Sequence, residues 1–224
     1  MPPLTPWRIG RGWSEPELRR QLADLAARPA SRAGAPSLVL PGHPGARRSA
    51  ELPGQPELAS PWTVQRVQAP LGHEPPGPPL SAGLFARARQ AIHGYRFADP
   101  RITHGHFDPA SPLLGRNILV EVQALLIHLL VGLRVGAVLD EADDWETRFG
   151  VRLDTLQGHI LDGAEWIEIV KEHRTGTVWL RIGARWRRGA MPAWWMGLGF
   201  RLLGPTIQTR WRRQALRRLR ALST

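Results

Sequence analysis

The segment DTLQGHILDGAEW, residues 154–166, carries one imidazole and several carboxylates. Asp154, His159 and Glu165 flank a turn between two strand-like runs, so a hairpin could bring them to one end of a sheet. A histidine beside carboxylates can serve as a general base near neutral pH. The alternative is structural: the three groups hold the turn by hydrogen bonds, and Gly158 supplies an unusual backbone angle. We favour the structural interpretation, because no nucleophile or substrate group accompanies the three residues.

A second histidine pattern is THGHFD, residues 103–108. In a strand, His104 and His106 share one face and Asp108 follows in phase. Imidazole and carboxylate are ligands that zinc accepts. A two-residue spacing also arises by chance, however, and no further ligand is fixed by the pattern. We therefore predict no metal site and no cofactor.

Tryptophan and arginine alternate near the end of the chain, in ARWRRGAMPAWWMGLGF. One interpretation is a membrane-surface contact over residues 186–222, with tryptophans at the interface and arginines on anionic headgroups. Stacking on nucleic acid is another, which we disfavour. The interpretation we prefer gives the tryptophans an internal cavity to line or gate. The candidate ligand-binding residues are Trp166, Trp179, Trp186, Trp194 and Trp195.

The composition excludes some chemistry. The 224 residues include no cysteine, so disulfides, thiolate metal sites and thiol catalysis are ruled out. The net charge is +11, and Lys171 is the only lysine among the basic residues. Such a charge favours anionic partners. The first 18 residues lack the apolar core of a signal peptide, so we expect a cytoplasmic protein.

Residues 1–60 are predicted to form an N-terminal extension. It begins with a short helix over 14–28, in which Ser14 and Glu17 are spaced as a capping box. Residues 28–60 are rich in Pro, Gly, Ala and Ser, which predicts a long loop. The main domain is then expected over 61–224.

The central segment ILVEVQALLIHLLVGLRVGAVL, residues 118–139, has the length of a membrane helix. It carries two charges, Glu121 and Arg134, each of which would cost about 2.5–3.5 kcal/mol inside a bilayer. Valine-rich alternation and two glycines favour strands instead. We predict strands over 117–125 and 129–140 with a reversal near Ile127–His128. A buried helix is the second choice and a membrane helix the third.

Further strand-like runs surround this segment: WTVQRVQAPLG and the short DPRITHGHFDP, bounded by Asp-Pro at both ends, before it, and ETRFGVRLDTL, GAEWIEIVKEH and GTVWLRIGARW after it. A helix is predicted over SAGLFARARQAIHGY, and a long arginine-rich helix at the end of the chain. Because a sheet must bury one face, the terminal helix is its expected cover. The predicted fold class is α+β: a strongly curved antiparallel sheet that grips the C-terminal helix around an interior cavity.

The run FGVRLDTLQGHILDGAEW resembles an uncharacterised bacterial and plant family, a domain of unknown function with an FGxxxxTLxGH signature. The matching residues are Phe149, Gly150, Thr155, Leu156, Gly158, His159, Gly163, Glu165, Trp166, Gly176, Val178 and Gln208. The chain departs from the family pattern at Leu153, Ala164 and Ile167, where tyrosine, glutamate and phenylalanine are expected. The resemblance implies a START-like helix-grip fold, as in polyketide cyclases and lipid-transfer proteins.

The sequence thus predicts a protein that binds a hydrophobic or amphipathic small molecule, or a lipid, in an internal cavity. One alternative is a cyclase or hydratase that uses His159 as general base, with Asp154 and Glu165 nearby. The other is a protein attached to an anionic membrane surface through its Trp/Arg-rich C-terminal region. The sequence names neither a ligand nor an oligomeric state.

Overall fold

The computed structural model of this protein describes residues 6–31, 62–124, 126–189 and 213–221. These ranges contain one antiparallel sheet and three helices. The strands are β1 (Trp7–Ile9), β2 (Thr63–His73), β3 (Thr103–His106), β4 (Asn117–Ala124), β5 (Ile127–Ala142), β6 (Glu146–Thr155), β7 (Leu161–Glu172) and β8 (Thr177–Arg188). The helices are α1 (Glu15–Leu25), α2 (Leu84–His93) and α3 (residues 213–221).

The eight strands follow the order β2-β8-β7-β6-β5-β4-β3, and β1 pairs with β5. From β3 to β8 each strand pairs with the next one along the chain, so local hairpins build most of the sheet. The contacts of β2 with β8 and of β1 with β5 join strands far apart in sequence. The sheet is strongly curved and not closed, and the predicted α+β class is confirmed.

The central apolar segment forms the β4–β5 hairpin, as its alternation predicts. Ala124 pairs with Ile127, so the chain reverses before Ile127 rather than at Ile127–His128. Both charged side chains have hydrogen-bond partners: Glu121 accepts from the His128 ring, and Arg134 donates to Asn117. No helix in the described ranges is long and apolar enough to cross a membrane.

Alternation along the strands gives the sheet an inner and an outer face. On the inner face, which packs against α2 and α3, apolar residues form cross-strand rows such as Phe149–Ile169–Leu180. The helices contribute Phe85, Ala88 and Ile92 from α2, and Ala215 and Leu219 from α3. This packing confirms that the sheet covers a C-terminal helix, although most of the predicted long helix lies outside the described residues.

The N-terminal residues 6–31 pack on the outer face. Helix α1 starts with the predicted capping box, in which Glu17 accepts hydrogen bonds from the backbone and side chain of Ser14. Leu18 and Leu25 of α1 bury themselves against a small apolar cluster formed by Leu119, Leu130 and Leu156. The described part of the predicted extension therefore contributes its own layer to the fold, while residues 32–61 lie outside the described ranges.

The only lysine, Lys171, is fully buried at one end of the inner face. Its Nζ donates to Glu74 Oε2 at 2.7 Å and to the Pro78 carbonyl at 2.9 Å. Glu74 also accepts from the backbone N–H groups of Phe85 and Leu80, at 2.7 and 3.3 Å. Burial acts to raise the pKa of Glu74, but these donors outweigh it and hold the pKa below its ordinary value. The pair thus joins β7, the end of β2 and the start of α2.

Replacing Lys171 with Met should destabilise the protein by about 3–5 kcal/mol, because Glu74 would stay buried without its cation. Urea unfolding of the Lys171→Met variant measures this loss. The double variant Lys171→Met/Glu74→Gln should recover part of it, since a glutamine oxygen still accepts from Phe85 without carrying charge. Arg174→Met, an exposed change in the turn after β7, is the control and should alter stability by less than about 0.5 kcal/mol. Equal losses in Lys171→Met and Arg174→Met would contradict the role assigned to the pair.

Candidate ligand-binding site

The structure separates two of the three residues predicted to cluster at the β6–β7 turn. Leu153 pairs with Glu165 and Asp154 with Ala164, so Glu165 lies on the inner face and Asp154 on the outer face. There Asp154 forms a bidentate ion pair with Arg152, at 2.8 and 2.9 Å. Asp154 and Glu165 therefore do not share one site.

His159 lies in the β6–β7 turn, and its backbone N–H donates to Leu156. Its Nδ1 accepts a hydrogen bond from the Leu161 N–H at 2.9 Å, so the neutral ring carries its proton on Nε2. Burial lowers the pKa of His159 to about 4, although the contact with Leu161 acts in the opposite direction. At neutral pH the ring is uncharged, and its one basic nitrogen is already engaged. This arrangement suits a hydrogen-bond donor better than a general base.

The turn is held by Thr155 and two glycines. Thr155 Oγ1 accepts from the Gly163 N–H at 2.9 Å and donates to the Gly163 carbonyl at 3.0 Å. A Cβ at Gly163 would stand 2.1 Å from the Arg185 carbonyl oxygen, so only glycine fits between these strands. Gly158 has φ +87°, as the structural interpretation of the turn requires. Thr155 is the organising group that the sequence reasoning did not single out.

Two cross-strand rows at this end of the inner face differ from the apolar rows beside them. One row is Gln65–Ala184–Glu165, across β2, β8 and β7. The next is Thr63–Trp186–Gly163. The polar side chains and the tryptophan thus stand around a floor made of Ala184 and Gly163, which project little or nothing.

A buried glutamine oxygen lies in the first of these rows, and another lies on α3. Gln65 Oε1 on β2 and Gln214 Oε1 on α3 have no hydrogen-bond partner among the described residues. Buried polar atoms almost always have a protein or water partner, so an orphaned acceptor needs an explanation. Sequence alternation alone gave little signal for Gln65, because β2 is polar on both faces. Nothing in the sequence pointed to Gln214.

Tyr95 is another residue that the sequence alone did not indicate. Its φ of +52° is unusual for a residue other than glycine, and its ring packs over Gly105 of β3, where no Cβ would fit. Burial raises the pKa of the Tyr95 hydroxyl, and the negative charge of Glu165 raises it further.

Three of the five candidate tryptophans lie in the described residues, and these three divide between the faces. Trp186 lies on the inner face opposite Gly163. Trp166 and Trp179 lie on the outer face, where Trp179 Nε1 donates to Glu172 at 3.0 Å. Trp194 and Trp195 lie outside the described residues, as does most of the Trp/Arg-rich segment. Of the described tryptophans, Trp186 is therefore the one placed to meet a ligand on the inner face.

His104 and His106 share the outer face of β3, as predicted, with ring centroids 4.5 Å apart. Asp108 does not join them, because its carboxylate accepts from the Ala110 N–H in the following turn. Glu121 lies beside them instead, 3.7 Å from His106 and 3.0 Å from His128. In the described part of the chain, no three His, Asp or Glu side chains are arranged to hold a metal ion.

A groove of about 540 Å³ opens at the other end of the inner face, near the start of α2. Its lining includes His73, Glu74, Leu80 and Arg87. The Glu74 carboxylate already accepts from Lys171, Phe85 and Leu80. The carboxylate in this groove is therefore already committed to the fold.

Comparison with known proteins gives a family and two remote structural likenesses. The sequence profile of a domain of unknown function, DUF1990, matches residues 40–218. The crystal structure of Ara h 8.0201 aligns at 13% identity and a TM-score of 0.44, over 71% of this chain and 96% of that one. An uncharacterised Rhizobium leguminosarum protein aligns at 12% identity and a TM-score of 0.33, over 72% and 96%. No curated protein matches the sequence.

The buried state of His159 predicts a stability change with pH. The unfolded chain takes up a proton near pH 6.5, whereas the folded chain does so near pH 4. The contribution of His159 to the free energy of unfolding is therefore fully present above pH 6.5. It is lost as the pH drops from 6.5 toward 4. We expect His159 to account for about 1–3 kcal/mol of that loss. Urea unfolding at pH 7.0 and 4.5 measures this loss of unfolding free energy, which should be smaller in His159→Gln than in the wild type. Equal losses in the two proteins would argue that the ring is not buried.

Proposed function

The chain belongs to the DUF1990 family, a domain of unknown function, and we propose that it binds a hydrophobic or amphipathic small molecule against the inner face of its sheet. The site is the end of that face that carries Gln65, Glu165 and Trp186. These three side chains surround the floor of Ala184 and Gly163. A small-molecule site typically combines an apolar wall with a few placed polar groups, which is the combination found here.

The observation that carries the proposal is the buried Oε1 of Gln65, which has no partner among the described residues. An unsatisfied buried acceptor costs about 1–3 kcal/mol, so a folded protein seldom keeps one without a use. A ligand that brings a hydrogen-bond donor into this space would remove that cost. The same applies to Gln214, on the helix that the inner face covers.

The apolar part of a ligand would lie along the neighbouring row of Val67, Ile182, Ile167 and Val151. Ile167 and Ile182 are 0% and 3% exposed, whereas Val67 at the β2 end of the row is 39% exposed, so the row is apolar and reaches water at that end. Burial of a chain of methylenes against such a surface is favourable by about 0.8 kcal/mol for each one. An amphipathic molecule would thus place its tail on this row and its polar end by Gln65.

No comparable observation supports the two alternative functions, which are catalysis by a cyclase or hydratase and attachment to a membrane through residues 186–222. A cyclase or hydratase would need His159 as a base, yet its Nδ1 already accepts from Leu161. Attachment to an anionic membrane through residues 186–222 stays a hypothesis, since most of that segment lies outside the described ranges.

Fluorescence titration with N-phenyl-1-naphthylamine tests the site, because this neutral apolar dye carries one N–H donor and brightens when it leaves water. The wild-type chain should bind the dye saturably. The Gln65→Leu variant should bind it about tenfold more weakly, since one hydrogen bond is lost, and should unfold at the same temperature or a higher one.

Gln68→Leu is the matched control. Gln68 is on the same strand but on the outer face, where it is exposed, so its replacement should leave dye binding unchanged. Absence of saturable binding to the wild type, or equal affinities in Gln65→Leu and Gln68→Leu, would overturn the proposed site. Native mass spectrometry of protein purified from its own cells would then identify any ligand that stays bound.

A further inference from the structure

Large apolar side chains are exposed together at the tip of the β4–β5 hairpin. Leu126, in the turn of that hairpin, is 67% exposed, and Ile9 and Trp7 of β1 are 62% and 36% exposed. The Gly10 N–H donates to the Leu126 carbonyl at 2.8 Å, which holds the end of β1 against the turn. The three side chains therefore form one patch, which we call the tip patch.

The pairing register places β1 on a continuation of the inner face. Trp7 pairs with Leu129 and Ile9 with Ile127, and paired residues of antiparallel strands share one face. Leu129 is buried and belongs to the core between the sheet and its helices. The apolar surface of the inner face thus continues past the core to side chains that water reaches.

Cations accompany the tip patch at this end of the sheet. The β4–β5 turn and the end of β8 lie at the same end, because neighbouring strands run antiparallel. Arg11, two residues after β1, and Arg188, the last residue of β8, are both exposed. Glu17 of α1 and Asp162 of β7 lie at this end as well, but each is paired with an arginine, at 2.8 and 3.3 Å. These groups leave positive charge beside the patch.

A lipid surface suits the tip patch better than a protein surface does. A contiguous exposed apolar group with a polar rim marks a contact with a protein or a membrane. Three side chains at a hairpin tip cover much less than the roughly 800 Å² that each partner buries in a stable protein interface. A contact between two copies would also bring together chains that each carry a net charge of +11. Anionic lipid turns that charge into attraction, and an indole is favoured at the boundary between headgroups and acyl chains.

We propose that the tip patch is a contact site for an anionic lipid membrane, into whose interface Ile9 and Leu126 insert with Trp7 at the boundary. This surface is distinct from residues 186–222, and the contact does not require a ligand in the proposed site. A few apolar side chains with cations beside them hold a protein at a membrane surface reversibly. The end of the inner face that carries Gln65 and Trp186 would then be turned toward the bilayer.

Flotation with vesicles of phosphatidylcholine and phosphatidylglycerol, in a molar ratio of about three to one, tests the contact. The full wild-type chain should float with these vesicles and bind about tenfold more weakly to phosphatidylcholine alone, since the arginines then lack anionic partners. Leu126→Ser should lower the binding constant for the mixed vesicles about tenfold, because the apolar side chain that enters the lipid is lost. Ile9→Ser/Leu126→Ser should lower it further.

Leu114→Ser is the matched control. Leu114 is a leucine of similar exposure, 62%, but it precedes β4 and therefore lies at the opposite end of the sheet from the β4–β5 turn. This variant should bind the mixed vesicles as the wild type does. Both leucines are exposed, so both single variants should keep the unfolding temperature of the wild type to within a few degrees.

Three results would overturn the membrane contact. The first is a wild-type chain that does not float with the mixed vesicles. The second is equal binding by Leu126→Ser and Leu114→Ser, which would place the contact on another surface, such as residues 186–222. The third is a dimer in sedimentation velocity that Leu126→Ser dissociates while vesicle binding stays unchanged, which would identify a second copy as the partner of the tip patch.

Discussion

The buried ion pair between Lys171 and Glu74 is the constraint on which the arrangement of the inner face depends. Glu74 directly follows β2. Its carboxylate accepts one hydrogen bond from the first turn of α2 and another from Lys171 of β7. The pair therefore fixes β2, β7 and α2 to one another at one point, although the two strands are distant in sequence. Breaking such a pair leaves a charge in the interior, so alternative positions of α2 are strongly disfavoured. The apolar rows of the sheet can then meet a helix of fixed position and register.

The two ends of the inner face differ in how their buried polar groups are satisfied. At the Lys171 end, cation and anion meet and are shielded from water, so each supplies the other's partner. Six residues along β7, a distance of about 20 Å, the row of Glu165 and Ala184 leads to Gln65, whose Oε1 has no donor among the described residues. A polar group that is satisfied stabilises the fold, whereas one that is not is available to a ligand.

Much of the fold is readable from the sequence, because hairpins between neighbouring strands are local. The alternation of 117–140 predicts β4 and β5, and Ser14 with Glu17 predicts the start of α1. The partner of Lys171 could not be read in the same way, since Glu74 is 97 positions away and no local pattern relates them. The separation of Asp154 from Glu165 depends on the pairing register, which the length of the turn alone does not fix. Thr155 sets that register through both polar groups of Gly163.

The same register keeps two arginines of a strongly basic chain off the inner face. Successive residues of a strand point to opposite faces, so Arg185 and Arg187 reach the outer face because Ala184 and Trp186 occupy the inner one. A shift of one residue between β7 and β8 would turn those arginines toward the inner face. Thr155 and the close fit at Gly163 oppose that shift, since any side chain at position 163 would collide with the backbone of β8. The residues that hold the turn therefore also decide which side chains of β8 face the candidate site.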